Sequence, residues 1–140
     1  MTCPNRDNTI GTGGCIFCSA GGSGDFASPA SVSGQLLSIR EQLEQGKSYF
    51  HTKKTGNRFI AYFQSYTNTY APIERLRALY TESLEEPSVV GISIATRPDC
   101  LGDDVIELLD ILKKRYPDKF LWVELGLQTI HEDTARFIRR

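Results

Sequence analysis

The chain has 140 residues, 40% of them hydrophobic, and carries 16 basic against 17 acidic side chains for a net charge of −1. That size and balance match one globular domain with a modest core; they exclude a fibrous or disordered chain, and one drawn to nucleic acid or an anionic membrane by its net field. No apolar run approaches the roughly 20 residues that cross a bilayer, and Met1 is followed by Thr2, Cys3 and Pro4 rather than a basic and then apolar leader, so the expected setting is cytoplasmic, with no membrane contact.

The first element in the chain is a loop. "CPNRDNTIGTGGCIFCSAGG", residues 3–22, is rich in glycine and holds Cys3, Cys15 and Cys18, three of the four cysteines. In a reducing compartment such a cluster suits metal ligation or catalysis better than disulfides. A redox pair at the C-x-x-C of Cys15 and Cys18 would open a helix, for which Gly13-Gly14 and Gly21-Gly22 are poor flanks, and it would leave Cys3 idle. A structural zinc site needs four closed ligands, and the nearest fourth candidates, Cys100 and His51, lack the paired spacing of a zinc ribbon or knuckle. A four-iron four-sulfur cluster on three thiolates leaves one iron open and needs a backbone that can wrap it, which glycines provide.

After the loop, helical and strand patterns alternate. Val32, Leu36, Ile39 and Leu43 fall on one helical face, predicting a helix over 32–45 that stops at Gly46. "RFIAYF" (58–63) predicts a strand, and "APIERLRALYTESL" a helix with Pro72 in its first turn and Ile73, Leu76, Tyr80 and Leu84 on one side. "SVVGISI" (88–94) predicts a second strand. The next helix has Asp103 and Asp104 at its positive end, Lys113, Lys114 and Arg115 at its negative end, and a stop at Pro117. "FLWVEL" (120–125) predicts a third strand, and Thr129 with Glu132 a capping box for a last helix.

Strands alternating with helices give an α/β class with a parallel sheet, either an open doubly wound sheet or a (β/α) barrel. In both, ligands sit at the C-terminal strand edge, which here carries "QSYTNTY", "ATRPDC" and "GLQT". Both ends read as cut: a cysteine loop at that edge should follow a strand of its own, and a full barrel takes about 200 residues or more.

"CPNRDNTIGTGGCIFC" resembles the cluster loop of radical SAM enzymes, and in particular a bacterial YhcC-like family related to oxygen-independent coproporphyrinogen oxidase and the elongator catalytic subunit. "YFQSYTNTYAP", "SIATRPDCL" and "WVELGLQTIHEDTARFIRR" resemble that family's segments after the second and third barrel strands and from the fourth strand into the next helix, so the likeness covers nearly the whole chain. The eleven residues between Cys3 and Cys15, in place of the usual three, mark the subfamily. Asn8 stands where relatives mostly have glycine, and asparagine tolerates the same left-handed backbone.

The resemblance implies a partial (β/α) barrel of the radical SAM type, its first strand and C-terminal strands missing. Residues 1–140 would be a core-domain fragment, with 1–30 the cluster-binding loop and 31–140 the alternating units. Cys3, Cys15 and Cys18 would hold a 4Fe-4S cluster whose fourth iron takes the amine and carboxylate of S-adenosylmethionine. An external one-electron donor such as flavodoxin or ferredoxin would reduce it, and the resulting 5′-deoxyadenosyl radical would take hydrogen from a substrate. The expected fragment is inactive alone and prone to aggregate at its open sheet edges. The rival function is a zinc-stabilised, non-catalytic binding module.

The same resemblance implies cofactor contacts. Phe17 would lie near the adenine, with loop packing its alternative. Gln64, or a backbone carbonyl beside it, would receive the methionyl amine where relatives have a Gly-Gly-Glu turn. Thr96 would face the ribose, Gln128 would touch the cofactor, and Arg140 would pair with the methionyl carboxylate, for which a guanidinium is suited. Arg140 can reach the site only if the last helix ends near Phe137 or the side chain reaches inward. Arg97 and Asp99 are read as holding a turn rather than touching substrate. Cys100 is read as a small, partly buried cysteine, and His131 as a surface residue. Tyr49, Phe50, Lys53, Lys54 and Arg58 interleave aromatics with bases, a pattern that suits RNA.

Overall fold

The structure is a computed structural model that describes residues 1–19, 27–53 and 56–140. After the cysteine loop comes a small hairpin, β1 (Ser31–Val32) and β2 (Gln35–Leu36), then α1 (Ile39–Ser48) and β3 (Phe59–Phe63). They are followed by α2 (Ile73–Glu85), β4 (Val89–Thr96), a 3-10 turn at Pro98–Cys100, α3 (Asp103–Arg115), β5 (Phe120–Leu125) and α4 (Glu132–Phe137).

The three apolar runs expected as strands form one parallel sheet in the order β3-β4-β5, so the α/β class holds. Alternation along each strand sorts its side chains by face. Ala61, Phe63, Ile92 and Ile94 turn toward Leu76, Tyr80 and Leu84 of α2 and Val105, Leu108 and Leu112 of α3 to make the core. Neighbouring helices are tied on that same side: Arg40 N donates to Glu82 Oε1, and Arg115 Nη2 meets Glu85 Oε1 at 3.3 Å. The opposite face, with Ile60, Tyr62 and Trp122, is exposed among the described residues. No helix among them is long and apolar enough to cross a membrane.

Two local expectations give way. The helix predicted over 32–45 begins only at Ile39, because residues 31–36 form the hairpin. Ser33 and Gly34 take φ +51° and +82°, as a two-residue primed turn requires, and Val32 and Leu36 lie exposed on strands instead of facing a core. Ser38 caps α1 with a full capping box: its hydroxyl accepts from Glu41 N while Glu41 Oε2 accepts from Ser38 N. The helix also runs through Gly46 to Ser48 rather than stopping there. Conversely, Thr129 and Glu132 form no capping box. The cap of α4 is His131, whose N–H donates to Thr129 Oγ1 at 3.1 Å in a local turn.

Gly91, in the central strand, sits directly against β5. A Cβ there would lie 2.5 Å from the Phe120 carbonyl oxygen and 2.7 Å from the Phe120 ring. The backbone oxygen cannot swing aside, so Gly91→Ala forces β4 and β5 apart. We expect urea unfolding followed by circular dichroism to show a loss of about 1–3 kcal/mol, the usual cost of overpacking; an unchanged midpoint would mean that the sheet yields at this point.

Candidate functional site

The cysteine loop is folded by its small and polar residues. Gly13 and Gly14 take φ +75° and +80°, and Asn8 takes φ +72°, the left-handed geometry expected of it. A Cβ on Gly14 would stand 2.8 Å from Arg6 Nε, so its absence gives room for the Arg6 guanidinium. Arg6 lies 5.3 Å from the centre of the Tyr66 ring and donates through Nη2 to the carbonyls of Ser19 (2.5 Å) and Cys18 (3.4 Å). Buried Asn5 donates through Nδ2 both to Cys15 Sγ at 3.3 Å and to the Arg139 carbonyl at 2.6 Å. Main-chain bonds from Thr67 N to Thr2 O and from Ile16 N to Ile138 O dock the loop on the strand edge.

That edge is polar yet buried. Asn68 Nδ2 and N both donate to Ala95 O, at 3.0 and 3.1 Å, and Tyr80 donates through its hydroxyl to Asn68 O at 2.6 Å, holding the segment after β3 onto β4. Thr69 Oγ1 donates to Cys100 O and also meets Thr96 Oγ1, each at 2.5 Å. A hydroxyl has one proton. With that of Thr69 engaged by the carbonyl, Thr96 is the donor in the pair, and toward a ligand it offers only acceptor capacity. At the end of β5, Glu124 accepts from the Tyr62 hydroxyl at 3.1 Å and from Ser93.

Arg97 and Asp99 form a bidentate pair, Nε to Oδ1 at 2.8 Å and Nη2 to Oδ2 at 2.6 Å, across the turn read for them. The guanidinium hydrogen bonds hold the Asp99 carboxyl below the usual aspartate value of 3.8, and the Asp99 carboxylate in turn raises Arg97. Helix α4 ends at Phe137, Arg139 turns left-handed at φ +57°, and Arg140 N donates to Ala135 O at 2.8 Å. The Arg140 side chain thereby points back to the sheet, where Nη2 donates to Gly126 O.

These segments enclose a cavity of about 320 Å³ lined by Cys3, Cys15, Phe17, Cys18, Thr96, Gln128 and Arg140, which brings together residues that the sequence singled out. Gln64 lines a separate hollow with Leu43 and Phe50, while its neighbour Ser65 lines the cavity. Gln128 takes φ +76°, uncommon for a residue with a Cβ. Burial, and then the charge of Cys15, push the Cys18 thiol up from its ordinary value. Among the described residues no group of three or more His, Cys, Asp or Glu side chains stands close enough to hold a single metal ion.

Arg6, Tyr66 and Glu124 also line the cavity and were missed as site residues. A signal existed for Glu124 alone, a carboxylate inside the apolar run "FLWVEL". Cys100 is half-buried, with its thiol pushed up by burial, and lies outside the lining. His51 and His131 are exposed. Of the aromatic and basic group, Lys53 Nζ stands 5.3 Å from the Phe50 ring and Phe50 packs against Phe59; none of Tyr49, Phe50, Lys53 or Arg58 lines the cavity. Lys54 falls outside the described residues, as do Gly21 and Gly22.

A profile of the radical SAM superfamily matches residues 8–140. The chain belongs to that superfamily. Its relatives include YtqA of Bacillus subtilis (strain 168), 52% identical over 138 residues, which cover 99% of this chain and 40% of YtqA. YhcC of Escherichia coli (strain K12) is 41% identical over 140 residues, covering all of this chain and 42% of YhcC. MJ0486 of Methanocaldococcus jannaschii is 38% identical over 144 residues, covering 100% of this chain and 40% of that protein. This radical SAM chain thus spans about two fifths of the length of the curated relatives it matches. No solved structure matches it significantly.

The Arg97–Asp99 pair gives a pH-dependent contribution. Because the folded carboxyl titrates below its unfolded value, the stabilisation is present above pH 3.8 and fades as pH falls through the folded value. Asp99→Asn should melt below the wild type near neutral pH, by a margin kept small because Asp99 is half-exposed, and the two curves should converge in acid. A margin independent of pH would mean that the carboxylate charge is not what holds the turn.

Proposed function

We propose that this chain is the cluster-bearing part of a radical SAM enzyme, in which Cys3, Cys15 and Cys18 hold a 4Fe-4S cluster at the C-terminal edge of a partial (β/α) barrel. The observation that carries this reading is that all three thiols, brought from both ends of the loop, line one cavity at the strand edge. Each thiolate of a cubane binds its own iron, so such ligands should surround a common space instead of meeting at a point. The barrel reading is supported by parallel strands in sequence order with helices tied together along one face. Held by these three cysteines, the cluster with S-adenosylmethionine would supply one-electron reductive cleavage of the sulfonium for hydrogen abstraction from a substrate, the electron coming from an external donor such as flavodoxin or ferredoxin.

The chain's own groups bind and orient. Asn5 donates to the sulfur of Cys15 and so fixes one ligand. Arg140, with Nη2 engaged by Gly126 O, presents its remaining N–H groups to the methionyl carboxylate, and Gln128 beside it donates to the same cofactor. Thr96 accepts from a ribose hydroxyl, since its own proton is directed to Thr69. The amine is received by main chain at Ser65, which lines the cavity, whereas Gln64 lines the neighbouring hollow. Phe17, about half-exposed at the cavity wall, offers its ring to the adenine.

The test is iron and sulfide content after anaerobic reconstitution of the full-length protein. The wild type should turn brown with the broad visible absorption of an iron–sulfur protein. Cys3→Ala, Cys15→Ala and Cys18→Ala should each lose the cluster, and Cys100→Ala should keep it. A colourless protein that binds zinc would replace this reading with the binding-module one, and cluster loss in Cys100→Ala would make the site a four-cysteine one. Arg140→Ala should keep the cluster and weaken S-adenosylmethionine binding by about 1.5–3 kcal/mol, the worth of hydrogen bonds to a charged group; equal affinity would return Arg140 to a structural role.

A further inference from the structure

Arg97 is a buried cation whose hydrogen bonding is incomplete. Asp99 engages Nε and Nη2, but Nη1 is buried with no hydrogen-bond partner among the described residues. A buried donor left unpaired is costly and rare enough to call for an explanation. Arg97 lines the cavity beside Thr96, and Cys3 lines the same cavity. The turn at Pro98–Cys100 therefore places a buried cation with a spare donor at the cavity that Cys3 also lines, while Asp99 engages its other two nitrogens.

We propose that Arg97 is a positioning residue for the iron–sulfur cluster, its free Nη1–H donating to the Cys3 sulfur as a thiolate ligand and setting the cluster's reduction potential. The inference rests on the cluster reading above. A thiolate is a far better acceptor than a thiol, so the unpaired donor and the ligand suit one another. Asp99 does not cancel the effect. Its side chain is 55% exposed against 7% for Arg97, so water screens the carboxylate more than the guanidinium, and the pair presents net positive charge toward Cys3. Positive charge and an N–H donor beside a sulfur ligand stabilise the more negative, reduced cluster and raise its potential.

The two members of the pair should then act in opposite directions. The full-length protein would be reconstituted anaerobically and its cluster titrated against viologen-mediated potentials, read by electron paramagnetic resonance. Arg97→Gln should keep its iron and sulfide, yet at a fixed applied potential its ratio of reduced to oxidised cluster should fall about tenfold, equal to a downward shift of about 59 mV for one electron. Arg97→Lys, which keeps a cation, should recover most of that ratio. Asp99→Asn, which leaves the guanidinium uncompensated, should raise the ratio above the wild type and tests the inference even if Arg97→Gln fails to assemble a cluster. Unchanged ratios in these variants, or shifts of the same sign in Arg97→Gln and Asp99→Asn, would overturn the inference and leave the pair as a turn brace. A wild type that takes up no iron would instead overturn the cluster reading itself.

Discussion

The site depends on one buried amide. Among the described residues the cysteine loop adds no strand to the three-stranded sheet, and glycines such as Gly13 and Gly14 allow its backbone many shapes. Asn5 restricts that freedom by directing its amide nitrogen to Cys15 Sγ and to the Arg139 carbonyl. The first contact fixes a thiol. The second pulls the end of the chain under the loop, where the left-handed turn at Arg139 sends Arg140 back to the strand edge. The Cys15 sulfur and the backbone that turns Arg140 inward, near opposite ends of the sequence, thus share one side-chain brace, which main-chain bonds from Ile16 to Ile138 and from Arg140 to Ala135 reinforce.

The sheet contributes rigidity where the loop cannot. Its central strand is buried on the helix side by Ile92 and Ile94, and its C-terminal end delivers Thr96 and Arg97 into the cavity with little freedom to move. Polar groups at that end are held in a fixed chain of donors: Tyr80 to Asn68, Asn68 to Ala95, Thr96 to Thr69, Thr69 to Cys100. The hydroxyl orientations follow from proton counting, so the polarity offered to a ligand is set before one arrives. Three arginines, Arg6, Arg97 and Arg140, and one carboxylate, Glu124, line the same space.

The fold was legible in the sequence wherever one rule governed a segment. β3 and β5 are short apolar runs between turn residues, and α2 and α3 repeat their apolar residues at helical spacing over thirteen residues each. The hairpin was hidden because Val32 and Leu36 fall at the spacing of the helix that follows, although the Ser33-Gly34 pair marks a turn. The real capping box, Ser38 with Glu41, lay inside that misassigned stretch. In the site, the thiols, Thr96, Gln128 and Arg140 were legible as chemical types at a strand edge. Asn5 and Arg6 were not, because their roles are contacts with residues far along the chain, Asn5 with Arg139 and Arg6 with the Tyr66 ring, and no local pattern encodes such pairs.

The Asn5–Arg139 contact joins residues 134 positions apart. A ribosome adds about 5–20 residues each second, so the thiols of Cys3, Cys15 and Cys18 emerge on the order of 10 seconds before the carbonyl that completes their brace. Throughout that interval the loop is a mobile tether bearing three reactive sulfurs, open to oxidants and to whatever metal is at hand. The clamp can close only after the residues of all three sheet strands have been made. Assembly of the site therefore waits on synthesis through Arg139, and until then its thiols lack the contact that fixes one of them.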